Sequence, residues 1–362
     1  MEKMVDIQNF YKNKRVLITG HTGFKGSWLS LWLQKMGAEV YGFSLKPNTV
    51  PNLFDLAEVD KNMNSYIGDI RNLQNVYDVF DSAKPEIVFH LAAQPLVLKS
   101  YQDPIETYST NVMGLVNVLE VVRKTKSIKA FVNVTTDKCY QNNEWVWPYR
   151  ETDPMGGYDP YSSSKGCSEL ITAAYRSSFF NENEYKHHGV SIASVRAGNV
   201  IGGGDWSENR LIPDIFRALI DQKTVLIRRP ESIRPWQHVL EPLFGYLLIA
   251  MKLFNYGSEY NGAWNFGPRL EDTKTVKWIV ENLKKKWTSS TISWEIDNSN
   301  ANHEATFLKL DITKSSSLLN WSPKLDMTLT IEMIIDWYQD FLSGKNVKET
   351  TLRQIEYYQS KL

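Results

Sequence analysis

Five short apolar runs punctuate the first half of the chain. They are Arg15-Val16-Leu17-Ile18-Thr19, Glu39-Val40-Tyr41-Gly42-Phe43, Ile87-Val88-Phe89-His90-Leu91, Ala130-Phe131-Val132-Asn133-Val134 and Val190-Ser191-Ile192-Ala193-Ser194-Val195. Most are near-continuous in apolar residues, the pattern of strands buried on both faces. Between the first two, Trp28, Leu31, Trp32 and Met36 recur at helical spacing, and Gly37 ends that pattern. Buried strands alternating with amphipathic helices predict a parallel, doubly wound α/β sheet covered on both sides. In such sheets ligands lie beyond the carboxyl ends of the strands. Candidate chemistry is therefore expected just after each run, at Asp69-Ile70, Ala92-Ala93-Gln94, Thr135 to Lys138 and Arg196 to Asn199.

Past about residue 195 the pattern loosens. Residues 1–195 are expected to form the sheet domain, with segments near 236–267 returning to it. Residues 196–362 are expected to build mainly a smaller α/β substrate-binding domain. Lys284-Lys285-Lys286 reads as a solvated helix face, and Glu349–Leu362 as a surface helix.

Composition narrows the class. The 362 residues are 42% hydrophobic and 23% charged, ordinary for a globular protein. Lys+Arg 41 against Asp+Glu 41 leaves no net charge, and so no global attraction to nucleic acid or an anionic membrane. Met1–Asp6 carries no apolar signal core, and the apolar stretch near Leu243–Met251 is far shorter than the ~20 residues of a membrane helix. Cys139 and Cys167 are too few for a disulfide framework, and the six histidines show no metal-ligand spacing. A soluble, cytoplasmic protein without a metal is expected.

Three constellations carry chemistry. Gly20-His21-Thr22-Gly23-Phe24-Lys25-Gly26 follows the first strand and opens a helix at Ser27-Trp28-Leu29. Strand, glycine-rich turn and helix form the Rossmann-type site for a dinucleotide pyrophosphate, the glycines serving the turn, the phosphate approach and the helix packing. Tyr161 and Lys165, four residues apart after Asp159-Pro160, share one helix face, where a cation favours phenolate. The pair can equally be structural. Thr135-Thr136-Asp137-Lys138 ends a strand with groups able to bond an alcohol and move protons, or simply with a capped turn.

Together these residues resemble the extended short-chain dehydrogenase/reductase superfamily and, within it, the nucleotide-sugar 4,6-dehydratases. The closer likeness rests on Gly20 to Leu29, Leu91-Ala92-Ala93-Gln94-Pro95-Leu96-Val97, Thr136-Asp137-Lys138-Cys139-Tyr140 and Arg234-Pro235-Trp236-Gln237-His238-Val239-Leu240-Glu241-Pro242. Asp137-Lys138, where most 4,6-dehydratases carry Asp-Glu, points to the branch acting on CDP-glucose.

The resemblance implies NAD as a recycled cofactor and a nucleotide-sugar substrate. Tyr161 would take the 4-hydroxyl proton, Thr136 would hold that hydroxyl, and Lys165 would depress the tyrosine pKa. Asp137 would protonate the departing 6-hydroxyl. Lys138 would take the C5 proton, or would hold Asp137 as a charge partner while another group does so. The cofactor would lie on Gly20, Thr22, Gly23, Phe24, Lys25 and Gly26. It would continue along Ser44, Asp69, Ile70, Leu91, Ala92 and Ala93 to Tyr161 and Lys165. Ser44 stands where many dinucleotide sites have an acid for the ribose diol, and Lys46 leaves NADP open. Gln94, Asn199, Arg210, Arg234, Trp236 and His238 would meet the substrate, with core packing as the alternative for Trp206, Trp236 and His238. The resemblance also implies a homodimer, or a dimer of dimers, paired through helices near 103–124 and 161–179. A 4-epimerase, which has no use for Asp137-Lys138, a 4,6-dehydratase acting on another nucleotide-hexose, a simple reductase and a dinucleotide-binding sensor are the competing readings.

Overall fold

The computed structural model describes residues 2–287, 292–297 and 306–362. Seven parallel strands form its central sheet: β1 (Arg15–Thr19), β2 (Glu39–Ser44), β3 (Asn64–Ile67), β4 (Ile87–His90), β5 (Ala130–Val134), β6 (Ser191–Ala197) and β7 (Gly262–Phe266). Their order is β7-β6-β5-β4-β1-β2-β3, so the direction of winding reverses between β1 and β4. That reversal opens the crevice in which such sheets bind ligands.

Residues alternate between two cores along β1, β4 and β5. Val16 and Ile18 face one hydrophobic cluster, and Leu17 faces the other. On the first side pack helices α1 (Glu2–Tyr11), α2 (Phe24–Lys35) and α7 (Leu240–Tyr256), whose Trp28, Trp32, Leu243 and Leu247 are fully buried. On the second side lie α3 (Leu73–Ala83) and α4 (Gly114–Val122), bringing Val76, Phe80, Val118 and Val122 inward. Helix α5 (Pro160–Ser178) runs beside β5 and β6, with the Ser168 and Thr172 hydroxyls accepting from the Asn133 side-chain amide.

Beyond β6 the chain makes three two-stranded pairs. Asn199–Ile201 pairs with Trp236–His238, Ile233–Arg234 with Lys274–Thr275, and Val225–Ile227 with Trp294–Ile296. Helix α6 (Leu211–Ile220) and helix α8 (Met327–Leu342) back these pairs. The last helix, α9 (Val347–Gln359), is less exposed than its polar sequence suggests. Thr351, Ile355 and Tyr358 form an inner face, and the Tyr358 hydroxyl donates to Glu241 on α7. Among the described residues no helix is long and apolar enough to cross a membrane.

Candidate active site

The glycine turn is built by contacts that only glycine permits. Gly20 has φ +81°, and a Cβ there would stand 2.7 Å from the Ala92 nitrogen. A Cβ on Gly26 would fall 2.1 Å from the Gly20 carbonyl oxygen, so this residue lets α2 close on the turn. Gly23 differs: a Cβ would meet only the Gly20 oxygen, at 3.4 Å, and its outer side is open. Gly23 caps α2 without any side-chain hydrogen bond, which leaves the helix's first amides for an incoming anion. This cradle fits a dinucleotide pyrophosphate.

Its flanks are tied together. The Thr22 hydroxyl donates to the Leu45 carbonyl and lies 2.9 Å from the Ser44 hydroxyl, joining the ends of β1 and β2. Asp69 is held by Arg71 at 2.6 Å, and Ile70 packs where Gly114 leaves room. Leu91 and Ala93 reach the main cavity, while Ala92 lies against Gly20.

That cavity, of about 620 Å³, opens over the carboxyl ends of β4, β5 and β6. Thr136, Asp137 and Lys138 enter it from the short 3₁₀ turn after β5, and Tyr161 and Lys165 from the first turns of α5. Helix α5 starts where it does because Asp159 accepts from the Ser162 nitrogen at 2.9 Å and Pro160 occupies the first turn. Asn199, Arg210, Arg234 and Trp236 line the opposite wall, and Phe24 and Lys25 the end nearest the glycine turn.

The electrostatics depart from expectation at the tyrosine. Burial pushes the Tyr161 phenol up to about 12, against the pull of Arg210 and the Thr136 hydroxyl. The Lys165 ammonium donates to the Val134 carbonyl at 3.2 Å and is itself pushed down to about 8 by burial. The Thr136 hydroxyl donates to Asp137 Oδ1 at 2.9 Å, and Lys138 Nζ stands 3.5 Å from the same oxygen. Asp137 Oδ2 is buried with no partner. Behind this turn, Glu169 accepts from Thr135, Ser194 and Arg196 in a fully buried network.

Two expected substrate residues are elsewhere. The Gln94 side chain is spent on its own loop, donating to Leu96 O and Thr107 Oγ1 and accepting from Leu96 N. His238 is fully buried against the edge of Trp28, and burial drives its imidazole down to about 3. Trp206 likewise packs on Tyr338 and Phe341. Conversely, Asp205, Arg228 and Arg229 line the cavity without having been anticipated. The adjacent arginines after the apolar run Val225-Leu226-Ile227 were the available signal. Asp205, paired with Arg210 at 3.3 Å, had none beyond its glycine-rich loop. Among the described residues no cluster of His, Cys, Asp and Glu is arranged to hold a metal ion.

Comparison with known proteins agrees with this geometry. The family model described as GDP-mannose 4,6 dehydratase matches residues 17–334. The chain is 54% identical over 357 residues to CDP-glucose 4,6-dehydratase of Salmonella typhimurium (strain LT2), covering 99% of each. Among solved structures, dTDP-glucose 4,6-dehydratase of Bacillus anthracis, in complex with NAD, superposes with TM-score 0.70 at 23% identity. That match covers 90% of this chain and 96% of the other. UDP-glucose-4-epimerase of Stenotrophomonas maltophila, with bound NAD and formylated UDP-arabinopyranose, gives TM-score 0.78 at 18% identity, over 92% and 99%. On the extent of the sequence matches, the chain belongs to the GDP-mannose 4,6-dehydratase family of nucleotide-sugar 4,6-dehydratases.

Proposed function

We propose that this chain converts CDP-D-glucose to CDP-4-dehydro-6-deoxy-D-glucose and water, using NAD that is restored within each turnover. The observation that carries the reading is Asp137, buried beside Tyr161 with one carboxylate oxygen unpartnered. Elimination of water needs such a group at the leaving hydroxyl; epimerisation does not. The choice of CDP-glucose rests on the 54% full-length identity to an enzyme of that name.

NAD, when bound on the glycine turn, accepts hydride from sugar C4 and returns it at C6. Tyr161 removes the 4-hydroxyl proton while Thr136 holds that oxygen. The resulting ketone acidifies C5–H, and Lys138 takes that proton. Asp137 protonates the departing 6-hydroxyl. Lys165 orients the cofactor ribose beside Tyr161. Arg210 and Arg234 meet the diphosphate, a fit suited to guanidinium forks, while Asn199 and Trp236 shape the sugar end. Gly20, Thr22, Gly23, Phe24, Lys25 and Gly26 cradle the cofactor, with Ser44, Asp69, Ile70, Leu91, Ala92 and Ala93 along its length.

Residues 1–195 with the stretch near 236–267 hold the cofactor in this reading, and the rest mainly the nucleotide-sugar. The enzyme works in the cytoplasm as a homodimer, supplying deoxysugar for surface polysaccharide such as O-antigen lipopolysaccharide. Exposed Ile105, Met113 and Leu170 are the apolar surface that such pairing would cover.

A panel of CDP-, UDP-, GDP- and dTDP-glucose with added NAD⁺ tests the reading. The expected result is a 4-keto-6-deoxy product, absorbing in alkali, formed fastest from CDP-glucose. Consumption of CDP-glucose without that product, or its conversion to a C4 epimer, overturns it.

A further inference from the structure

Asp205 lies in the loop between the strand Asn199–Ile201 and α6, and three helices fasten that loop. Trp28 of α2 donates to the Gly203 carbonyl at 3.0 Å, and Tyr338 of α8 donates to the Asp205 carbonyl at 2.7 Å. Arg217 of α6 donates to the Trp206 and Ser207 carbonyls at 2.6 and 3.1 Å. The loop so held carries a residue that is only 3% exposed yet lines the main cavity. The protein's own donors use little of its carboxylate. Oδ1 accepts from the Ser207 amide at 3.0 Å, and Oδ2 from one Arg210 nitrogen at 3.3 Å. An ionised carboxylate has about four acceptor sites, and leaving them empty in a buried place is costly. A ligand that brings hydroxyl donors into the cavity fills them.

The neighbours of Asp205 narrow the choice of hydroxyl. Burial, with Lys165 and Arg210, pushes the Lys25 ammonium down to about 7, and Asp137 and Asp205 both oppose that shift. The two carboxylates therefore act on one cation, which places Asp205 at the same end of the cavity as the turn after β5. In the reading proposed above, Thr136 and Tyr161 take the 4-hydroxyl, Asp137 the 6-hydroxyl, and Arg210 the diphosphate on C1. A carboxylate 3.3 Å from the guanidinium that meets the diphosphate is repelled by phosphate oxygens, so the group it faces must be a donor. The hexose hydroxyl next to C1 is the one on C2. It is not altered by the reaction.

We propose that Asp205 selects the hexose through its 2-hydroxyl, which donates to the carboxylate while Arg210, held by the same carboxylate, engages the diphosphate. A sugar without that hydroxyl leaves a buried charge short of a donor, and a site built to bond a hydroxyl rejects such an analogue strongly. This inference rests on the nucleotide-sugar reading, and the experiment separates the two.

The test compares kcat/KM for CDP-glucose and CDP-2-deoxyglucose, with added NAD⁺ and the alkali-absorbing 4-keto product as readout. The wild type, Asp205→Ala, Asp205→Asn and Arg210→Met are measured. The wild type should prefer CDP-glucose by about 10- to 100-fold, the range of a hydrogen bond to a charged acceptor. Asp205→Ala should bring the two substrates together, whatever both lose through a displaced Arg210. Asp205→Asn should lie between, because a neutral acceptor bonds about half as strongly. Arg210→Met should slow both substrates alike and keep the wild-type preference. Asp205→Ala slowing both by one factor would leave the carboxylate only as a holder of Arg210, and overturns the proposal. Loss of the preference in Arg210→Met overturns it too, since the selection would then belong to the arginine. A wild type that uses both substrates equally does so without recourse to any variant. A wild type that forms no 4-keto product from CDP-glucose sinks the nucleotide-sugar reading itself, and this proposal with it.

Discussion

Lys138 Nζ stands 3.5 Å from Asp137 Oδ1, while the other oxygen of Asp137 is buried without a partner. In the proposed reading the pair offers two separate groups to the sugar, a carboxyl oxygen and an amino nitrogen on a side chain that is about a third exposed and able to swing. Deuterium exchange at C5 and water loss from C6 should accordingly respond to different substitutions.

Lys138→Ala is expected to slow C5 deuterium incorporation from D₂O by about 10²-fold or more, the usual contribution of a positioned base. Asp137→Asn should retain exchange while formation of the 4-keto-6-deoxy product falls by about 10²-fold or more. Mass spectrometry of the recovered sugar reads both. Exchange at near wild-type rate in Lys138→Ala would assign the base elsewhere and leave Lys138 as the carboxylate's charge partner.

The tyrosine makes a signed prediction about pH. Tyr161 must lose its proton to act as base, so kcat/KM rises with pH through its ionisation. The Thr136 hydroxyl and Arg210 both pull that ionisation down against burial. Thr136→Val should move the rising limb to higher pH and lower the rate at pH 7 by about 10²-fold. Arg210→Met should shift the limb in the same direction and also raise KM, since in the proposed reading Arg210 meets the diphosphate. Profiles carried up to about pH 12 distinguish them: Thr136→Val with an unmoved limb would show that its hydroxyl does not act on the phenol.

How much of this was legible in the sequence follows from the range of the forces involved. Arg15–Thr19 and Ala130–Val134 coincide with strands, because buried parallel strands must be apolar throughout. The start of α5 at Asp159-Pro160 was equally local, a matter of one cap and one ring. Gln94 lies apart from the cavity because a polar residue after a strand can turn inward once its own loop supplies hydrogen bonds, as Leu96 and Thr107 do. His238 lies apart because it ends the strand Trp236–His238 and packs on Trp28. Helical spacing places Lys165 and Tyr161 on one face, but the Val134 carbonyl that engages the ammonium is contributed by another element, β5, which the spacing could not show. Asp205 reaches the cavity through long-range packing of the later pairs, which no local pattern encodes.

Glu169 links the turn after β5 to α5. Its carboxylate takes hydrogen bonds from Thr135, Ser194 and Arg196, and the Arg196 pair is 2.8 Å long with both side chains buried. Removing one partner strands a charge, so Glu169→Ala should cost about 3–5 kcal/mol in urea unfolding. The double variant Glu169→Met/Arg196→Met should recover much of that loss, since no unpaired charge remains. Additive losses in the two single variants and the double variant would show that the pair is not coupled.

Glu241 gives the fold its own pH dependence. Its carboxyl is 1% exposed and takes hydrogen bonds from the Lys324 and Leu325 amides and the Tyr358 hydroxyl, fixing α9 to α7. Burial nevertheless raises it from 4.5 to about 7. The folded state therefore keeps a proton that the unfolded chain releases above pH 4.5. The stabilisation is complete below pH 4.5, declines as pH rises, and is lost above about 7. The shift corresponds to at most about 3 kcal/mol. Glu241→Gln keeps an acceptor for the two amides and a donor for the Tyr358 oxygen, yet carries no charge to bury. Its melting temperature should match or exceed the wild type at pH 8, with the advantage shrinking at pH 5. Glu241→Ala should be less stable than the wild type at both, because the two amides and the tyrosine lose their partner. A Glu241→Gln protein that loses more stability at pH 8 than at pH 5 would mean that the native fold favours the carboxylate.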